Sequence, residues 1–344
     1  MMFPASVVGS LPRPPQVLEL LGDDPSSAAM DEAIRGAIAM QEKTGLDVIT
    51  DGEWRRRSYI GVIAELAHGF TLETNPADGR PWTVVTEKLS PKPPGFIARE
   101  AAFLKRFAKV QTKITLPAPA LLGERMWDAQ RSRKAYPRRE DFVRDCVAPL
   151  RREIELIRAS GVDIVQIDDP HLCLFVDPDV RKSYDDPDKA AQFAVDMINA
   201  VVEGFRDIKF AVHLCRRAGA RVRGEKHHAG TYGPILPQLN RLKVQHLTME
   251  FTAAGADDLE SLARLREDFE LGLGVVDVTP GIEQSASMIV KRVERALERV
   301  DARRITLNPD CGFAPGSAAK VSMDQVERKL RAEVEAARLL RSRR

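Results

Sequence analysis

The chain has 344 residues, 44% hydrophobic and 30% charged, with 52 basic against 50 acidic side chains and a formal net charge of +2. This composition supports a sizeable core and gives no electrostatic case for nucleic acid or an anionic membrane. No apolar run is long enough to span a bilayer, the start MMFPASVVGSLPRPP lacks the regions of a signal peptide, and four cysteines in this length do not make a disulfide scaffold. A reducing cytoplasm is therefore the expected setting, and the basic stretch 338–344 reads as a solvated helix end and tail.

Short β-branched runs recur eight times along the chain. They lie at 5–10 (ASVVGS), 47–51 (DVITD), 110–116 (VQTKITL), 163–168 (DIVQID), 209–215 (KFAVHLC), 246–250 (HLTME), 270–276 (ELGLGVV) and 304–308 (RITLN). Near-continuous apolar runs of this length suit parallel strands buried on both faces. Amphipathic stretches lie between several of them. In 142–160, Phe142, Val143, Cys146, Val147, Leu150, Ile154 and Ile157 fall at helical spacing; in 285–300, Ile289, Val293, Ala296, Leu297 and Val300 do the same. Eight alternating units predict an α/β fold, a (β/α)8 TIM barrel forming one domain over 1–344. The rival, an open dinucleotide-binding sheet, lacks a GxGxxG after the first strand, and the Gly-rich run 272–274 sits in a late strand. The excursion between strands two and three, roughly 55–109, carries Pro76, Gly79, Pro81 and Pro91–Pro94. Segments 70–72 and 82–85 within it read as a hairpin, a lid or wall for the site. A second departure, 216–232, is basic and follows the fifth strand.

Barrel chemistry sits at the C-terminal ends of strands. Those ends carry Ser10, Asp51 with Glu53, Asp168 with Asp169, His213 with Cys215, Glu250, and Asp310 with Cys311. His213, Cys215, Glu250 and Cys311 offer one imidazole, two thiols and a carboxylate, a donor set that selects Zn²⁺ over Mg²⁺ or Ca²⁺. Ligands spread over separate strand ends suit a catalytic ion better than a zinc-finger knuckle. Taken singly, each is as readily a buried strand-end residue; as a set at one mouth they point to a metal. Cys146 lies on the apolar face of a helix and reads as core. Cys173 follows Asp169–Pro170 in a loop, and no role is assigned to it.

At these residues the chain resembles the catalytic C-terminal half of cobalamin-independent methionine synthase. The motifs VGSLPRP, GLDVITDGEWRR, DIVQIDDP, VHLC, HLTMEF and NPDCGFAP run in order from first strand to last. The resemblance implies a (β/α)8 barrel with one zinc on His213, Cys215, Glu250 and Cys311. It also implies that Gly9 and Ser10, with the carboxylates of Glu53 and Asp168 as catalytic and substrate-binding groups, hold the amino-acid part of homocysteine. Two carboxylates suit a substrate ammonium; pairing with Arg13 or Arg55–Arg57 is the structural alternative. A thiol of pKa near ~8.5 loses its proton on such an ion and can then attack a methyl carbon. The expected partners are a small-molecule thiol and a methyl or alkyl donor, with no nucleic acid, no membrane and self-association left open. TLPAPALLG after the third strand matches no folate clamp. The alternative is an alkyltransferase or lyase of the epoxyalkane–coenzyme M type, in which the basic loop 216–223 would meet a sulfonate. A third reading is a zinc-stabilised barrel without catalysis, against which the paired carboxylates argue.

Overall fold

Residues 1–76, 79–216, 228–253, 255–314 and 321–343 are described by the computed structural model. Nine strands occur among them: β1 (Val48–Ile49), β2 (Ala67–Thr74), β3 (Pro81–Pro91), β4 (Gln111–Pro117), β5 (Ile164–Asp168), β6 (Lys209–Leu214), β7 (His246–Glu250), β8 (Glu270–Val276) and β9 (Ile305–Pro309). Seven form one parallel sheet in the order β1-β4-β5-β6-β7-β8-β9. The ring is closed by the N-terminal segment, where Ala5 bridges Leu307 and Ser6 bridges Val48, both parallel. The expected first strand over 5–10 is thus reduced to two residues. Leu307 N–H donates to the Pro4 carbonyl at 2.8 Å and Asp47 N–H to that of Ala5 at 2.9 Å. Beyond Ser6 side chains replace the ladder, as Thr50 Oγ1 donates to the Gly9 carbonyl at 2.7 Å. The fold is the (β/α)8 barrel read from the sequence, with an eighth position held by the thinnest of seams.

Helices cover the outside, and their ends follow local chemistry. Ser27 caps Ala28–Thr44 through Met30 N–H, and Gly45 in the left-handed region (φ 97°) ends it. A capping box of Ser322 and Gln325 starts Met323–Ser342. The continuous helix expected over 142–160 is two, Arg139–Asp145 and Val147–Ala159. The break has a cause: Pro149 has no N–H to give the Asp145 carbonyl, and its ring crowds that oxygen.

The excursion after β1 holds the expected hairpin, with Phe70 opposite Val85 and Leu72 opposite Thr83. Its inner residues Val84 and Val85 are fully buried. The hairpin is tied to the segment after β4: Trp82 Nε1 donates to the Arg125 carbonyl at 2.7 Å and Ser132 Oγ to that of Val85 at 2.6 Å. It is a fixed wall on that side of the barrel.

The glycines of β8 belong to packing, not to a phosphate loop. A Cβ on Gly274 would sit 2.6 Å from the Met249 carbonyl oxygen and 2.7 Å from Asp310 Cα; one on Gly272 would meet Asn308 Oδ1 at 2.5 Å. Backbone cannot move aside as a side-chain tip can. Gly274→Ala is therefore expected to cost about 1–3 kcal/mol, read as a lower urea midpoint, and to displace the turn carrying Asp310 and Cys311.

Candidate metal centre

His213 and Glu250 stand at the ends of β6 and β7, with Cys215 just beyond β6 and Cys311 just beyond β9. One ligand atom from each of His213, Cys215 and Cys311 lies within 4.8 Å of the others, and all three residues are buried. The two sulfurs are 3.3 Å apart. That is far beyond a disulfide of about 2.05 Å, and close to the ~3.7 Å edge that tetrahedral Zn–S bonds of about 2.3 Å would give. His213 Nδ1 faces Asp168 Oδ1 at 3.2 Å, a pairing set by the register of β5 on β6, in which these two residues are partners. Its Nε2 is buried with no hydrogen-bond partner among the described residues. With Nδ1–H donating to Asp168, the Nε2 lone pair is left for a cation, the carboxylate–histidine–metal arrangement. Two thiols, an imidazole nitrogen without a partner and a second carboxylate alongside fit a zinc ion.

The electrostatics agree. Burial alone would push the His213 imidazole down, but Asp168 and Cys215 outweigh it and hold its pKa up to about 9. The Cys215 sulfur, and then burial, push the Cys311 thiol well above its ordinary value. Burial, then Cys215 and Asp310, push the Glu250 carboxyl up to about 8. A pocket that penalises its own anions in this way is relieved by a divalent cation.

Glu250, the fourth expected ligand, stands outside the group of three. Its Oε2 accepts the Arg216 backbone N–H at 2.6 Å. Arg216, the described part of the basic 216–223 loop, is 1% exposed. Its guanidinium donates to Tyr232 Oη at 3.1 Å and the Gly230 carbonyl at 2.9 Å, and stacks 4.2 Å from the Tyr232 ring centroid. Tyr232 in turn donates to the Glu250 carbonyl at 2.9 Å. Arg216 thus braces the end of β7 and faces no incoming anion; 217–223 lie outside the described residues. Cys173 is buried against this brace, and burial raises its thiol to about 12. Cys146 is fully buried at the break between helices. Neither belongs to the donor group.

Beside the donors lie the expected substrate groups. Glu53 is buried and takes φ 60°, a conformation that a residue with a Cβ adopts at a cost. Thr115 Oγ1 donates to its Oε1 at 2.7 Å. Gly9 makes room for it, since a Cβ there would be 2.5 Å from Glu53 Oε1. Burial, and then the negative charge of Asp168 against the positive charge of Arg56, raises the Glu53 carboxyl, which places the two carboxylates in one field. Ser10 supports the Cys311 turn: its carbonyl accepts Phe313 N–H at 2.9 Å and its hydroxyl accepts Ala314 N–H at 3.3 Å. The arginines offered as partners do not neutralise Glu53 directly. Arg13 donates to the backbone carbonyls of Glu53 and Arg56, Arg55 pairs with Asp31, and Arg56 pairs with Glu100 at 2.8 Å. Sequence reasoning missed Gln166, whose Nε2 donates to Asp168 Oδ1 at 2.8 Å. Its signal was there: positions two apart on a strand point to one face.

This fold and donor group define a (β/α)8 barrel with a candidate metal centre at the C-terminal ends of its strands. The family described as cobalamin-independent synthase, catalytic domain, matches residues 3–339, and the chain belongs to that family of cobalamin-independent methionine synthases. A methionine synthase of Saccharolobus islandicus is 26% identical over 331 residues, covering 91% of this chain and 88% of that protein. One from Pyrococcus horikoshii is 27% identical over 329 residues, covering 91% and 86%. Among solved structures, a B12-independent methionine synthase from Shewanella sp. W3-18-1 in complex with selenomethionine superposes with a TM-score of 0.78 at 20% identity, covering 100% of this chain and 99% of that one. A putative vitamin-B12 independent methionine synthase from Listeria monocytogenes gives 0.74 at 22% identity, covering 99% of each. These last two support the fold. Among the described residues, no helix is long and apolar enough to cross a membrane.

Proposed function

We propose that this protein is a zinc-dependent methyltransferase that methylates the thiol of homocysteine to give methionine. The observation that carries the reading is the convergence of Cys215, Cys311 and the unpartnered Nε2 of His213 at the barrel mouth. His213, Cys215 and Cys311, with Glu250 alongside, would hold the ion. Bound there, zinc supplies the positive charge that lets a substrate thiol ionise at neutral pH. Asp168 and Gln166 orient the imidazole. Glu53 and Asp168 set two carboxylates where a substrate ammonium can lie, and Gly9 leaves room beside Glu53. This favours an amino-acid thiol, because a sulfonated thiol has no use for paired carboxylates. The buried setting excludes water from the attacking sulfur.

Purified protein is expected to carry about one zinc per chain and to convert homocysteine to methionine with a methyl donor. Preparations made without chelators that lack zinc would sink the reading, as would preferential use of a sulfonated thiol. Asp168→Ala, which frees the imidazole to rotate and switch tautomer, is expected to weaken zinc binding about 10–100-fold in a competition titration with a chromophoric chelator. An unchanged affinity would remove Asp168 from this role.

A further inference from the structure

We infer that Thr248 is a positioning residue, acting through Gln166 to hold Asp168 with one oxygen turned to the imidazole and the other kept for the substrate ammonium. This rests on the homocysteine reading above. The two oxygens of a carboxylate are chemically alike and its terminal torsion is broad and two-fold, so only its partners decide which oxygen does what. Asp168 has two tasks, because it orients His213 and also stands with Glu53 as one of the paired carboxylates. Both tasks are met at once only when the plane of the carboxylate is fixed.

The fixing begins at Oδ1, which accepts the Gln166 amide Nε2 at 2.8 Å and faces His213 Nδ1 at 3.2 Å. Among the described residues, no hydrogen bond reaches Asp168 Oδ2. Asp168 keeps a small exposed fraction, whereas Gln166 is fully buried. Oδ2 is therefore the oxygen that a substrate can meet.

Gln166 maintains this arrangement only while its own amide cannot turn over. Its Nε2 also donates to the Val8 carbonyl at 3.1 Å, which uses the second amide hydrogen. Its Oε1 accepts the Thr248 hydroxyl at 3.2 Å. A carbonyl and a carboxylate can only accept, so the amide nitrogen must face them, and the hydroxyl supplies the donor that the amide oxygen needs. The register of the sheet explains the reach. Gln166 on β5 pairs with Ala211 on β6, and Thr248 on β7 pairs with His213. Ala211 and His213 point to the same face, and a methyl group at 211 leaves the lumen open between β5 and β7. Thr248 is itself buried, so solvent does not stand in for its hydroxyl. Without that hydroxyl the Gln166 oxygen is buried with no donor, an unfavourable state relieved by moving the side chain off Asp168. The carboxylate can then rotate, and Oδ2 is no longer reserved.

The test compares two thiols on zinc-loaded protein by calorimetry: homocysteine, and 4-mercaptobutanoate, which is the same molecule without its ammonium group. Thr248→Val keeps the shape of the side chain and removes the hydroxyl. It is expected to weaken homocysteine binding about 10-fold, the loss of one charge-assisted hydrogen bond, and to leave 4-mercaptobutanoate binding unchanged. Thr248→Ser, which restores a hydroxyl, should bind both thiols as the wild type does. Gln166→Met, of similar length and without the amide, should show the same selective loss, and it carries the test if the valine variant does not fold. A general loosening of the barrel would weaken both thiols together, so equal losses overturn the assignment, as does an unchanged homocysteine affinity in Thr248→Val. Failure of the underlying reading is visible in the wild type alone. Protein that takes up no zinc, or that binds the two thiols equally, refutes the ammonium site and this inference with it.

Discussion

Replacing Cys311 with serine is expected to abolish methyl transfer and to lower zinc affinity by more than about 10²-fold, beyond the loss typical of removing an outer partner. Cys311 supplies one of three donor atoms within 4.8 Å of one another, and its sulfur lies 3.3 Å from that of Cys215. A serine hydroxyl is harder, barely ionises and bonds poorly to zinc, so the donor set falls to one thiolate and one imidazole. The comparison is Cys146→Ser. That thiol is equally buried but sits at a helix break among apolar side chains, so its loss should lower stability modestly and leave the metal in place. Zinc per chain by atomic absorption, with circular dichroism to establish folding, separates the two. Equal zinc in the Cys311 and Cys146 variants would remove the centre from the account.

The largest effect on stability is expected from Arg56→Met. Arg56 and Glu100 are each about 1% exposed and meet at 2.8 Å, and the same guanidinium donates to the Thr115 carbonyl at 2.9 Å and its hydroxyl at 2.8 Å. Removing the cation leaves a buried carboxylate uncompensated, which costs about 3–5 kcal/mol. It should also disturb the site, since Thr115 is the hydrogen-bond donor to Glu53. Urea denaturation of Arg56→Met and of the double variant Arg56→Met/Glu100→Leu checks the physics. The double variant should recover much of the loss, because replacing both partners removes the unpaired charge. Arg138→Met, which breaks a solvent-exposed pair with Asp141, should be silent by comparison. A double variant as unstable as the single one would show that shape, not charge, governs this position.

The strands of this barrel could be read because each is a short apolar run ended by a polar residue, and the hairpin because turn residues separate two apolar runs. Extents were less legible. The segment 5–10 has strand composition throughout, yet only Ala5 and Ser6 pair, since Thr50 and Phe313 engage the backbone of Gly9 and Ser10 instead. Three of the four candidate donors, His213, Cys215 and Cys311, come together because strand ends in a closed barrel converge whatever the register. The pairing of Asp168 with His213 was not legible, because it depends on β5 and β6 aligning those two residues, and composition says nothing of alignment. Arg216 was read, with its basic neighbours, as part of a loop that would meet an anionic substrate. Burial of its guanidinium against Tyr232 is a tertiary fact, made affordable by the Gly230 carbonyl and the ring face.

The seam at Ala5 and Ser6 brings residues 301 positions apart into contact, Ser6 against Leu307. A ring closed in this way cannot be completed until both of its edges have formed, however well the intervening units have folded. Cys311 lies just beyond β9, so the candidate donor group comes together only with that closure. Assembly of the site is therefore expected among the slow, long-range events of folding.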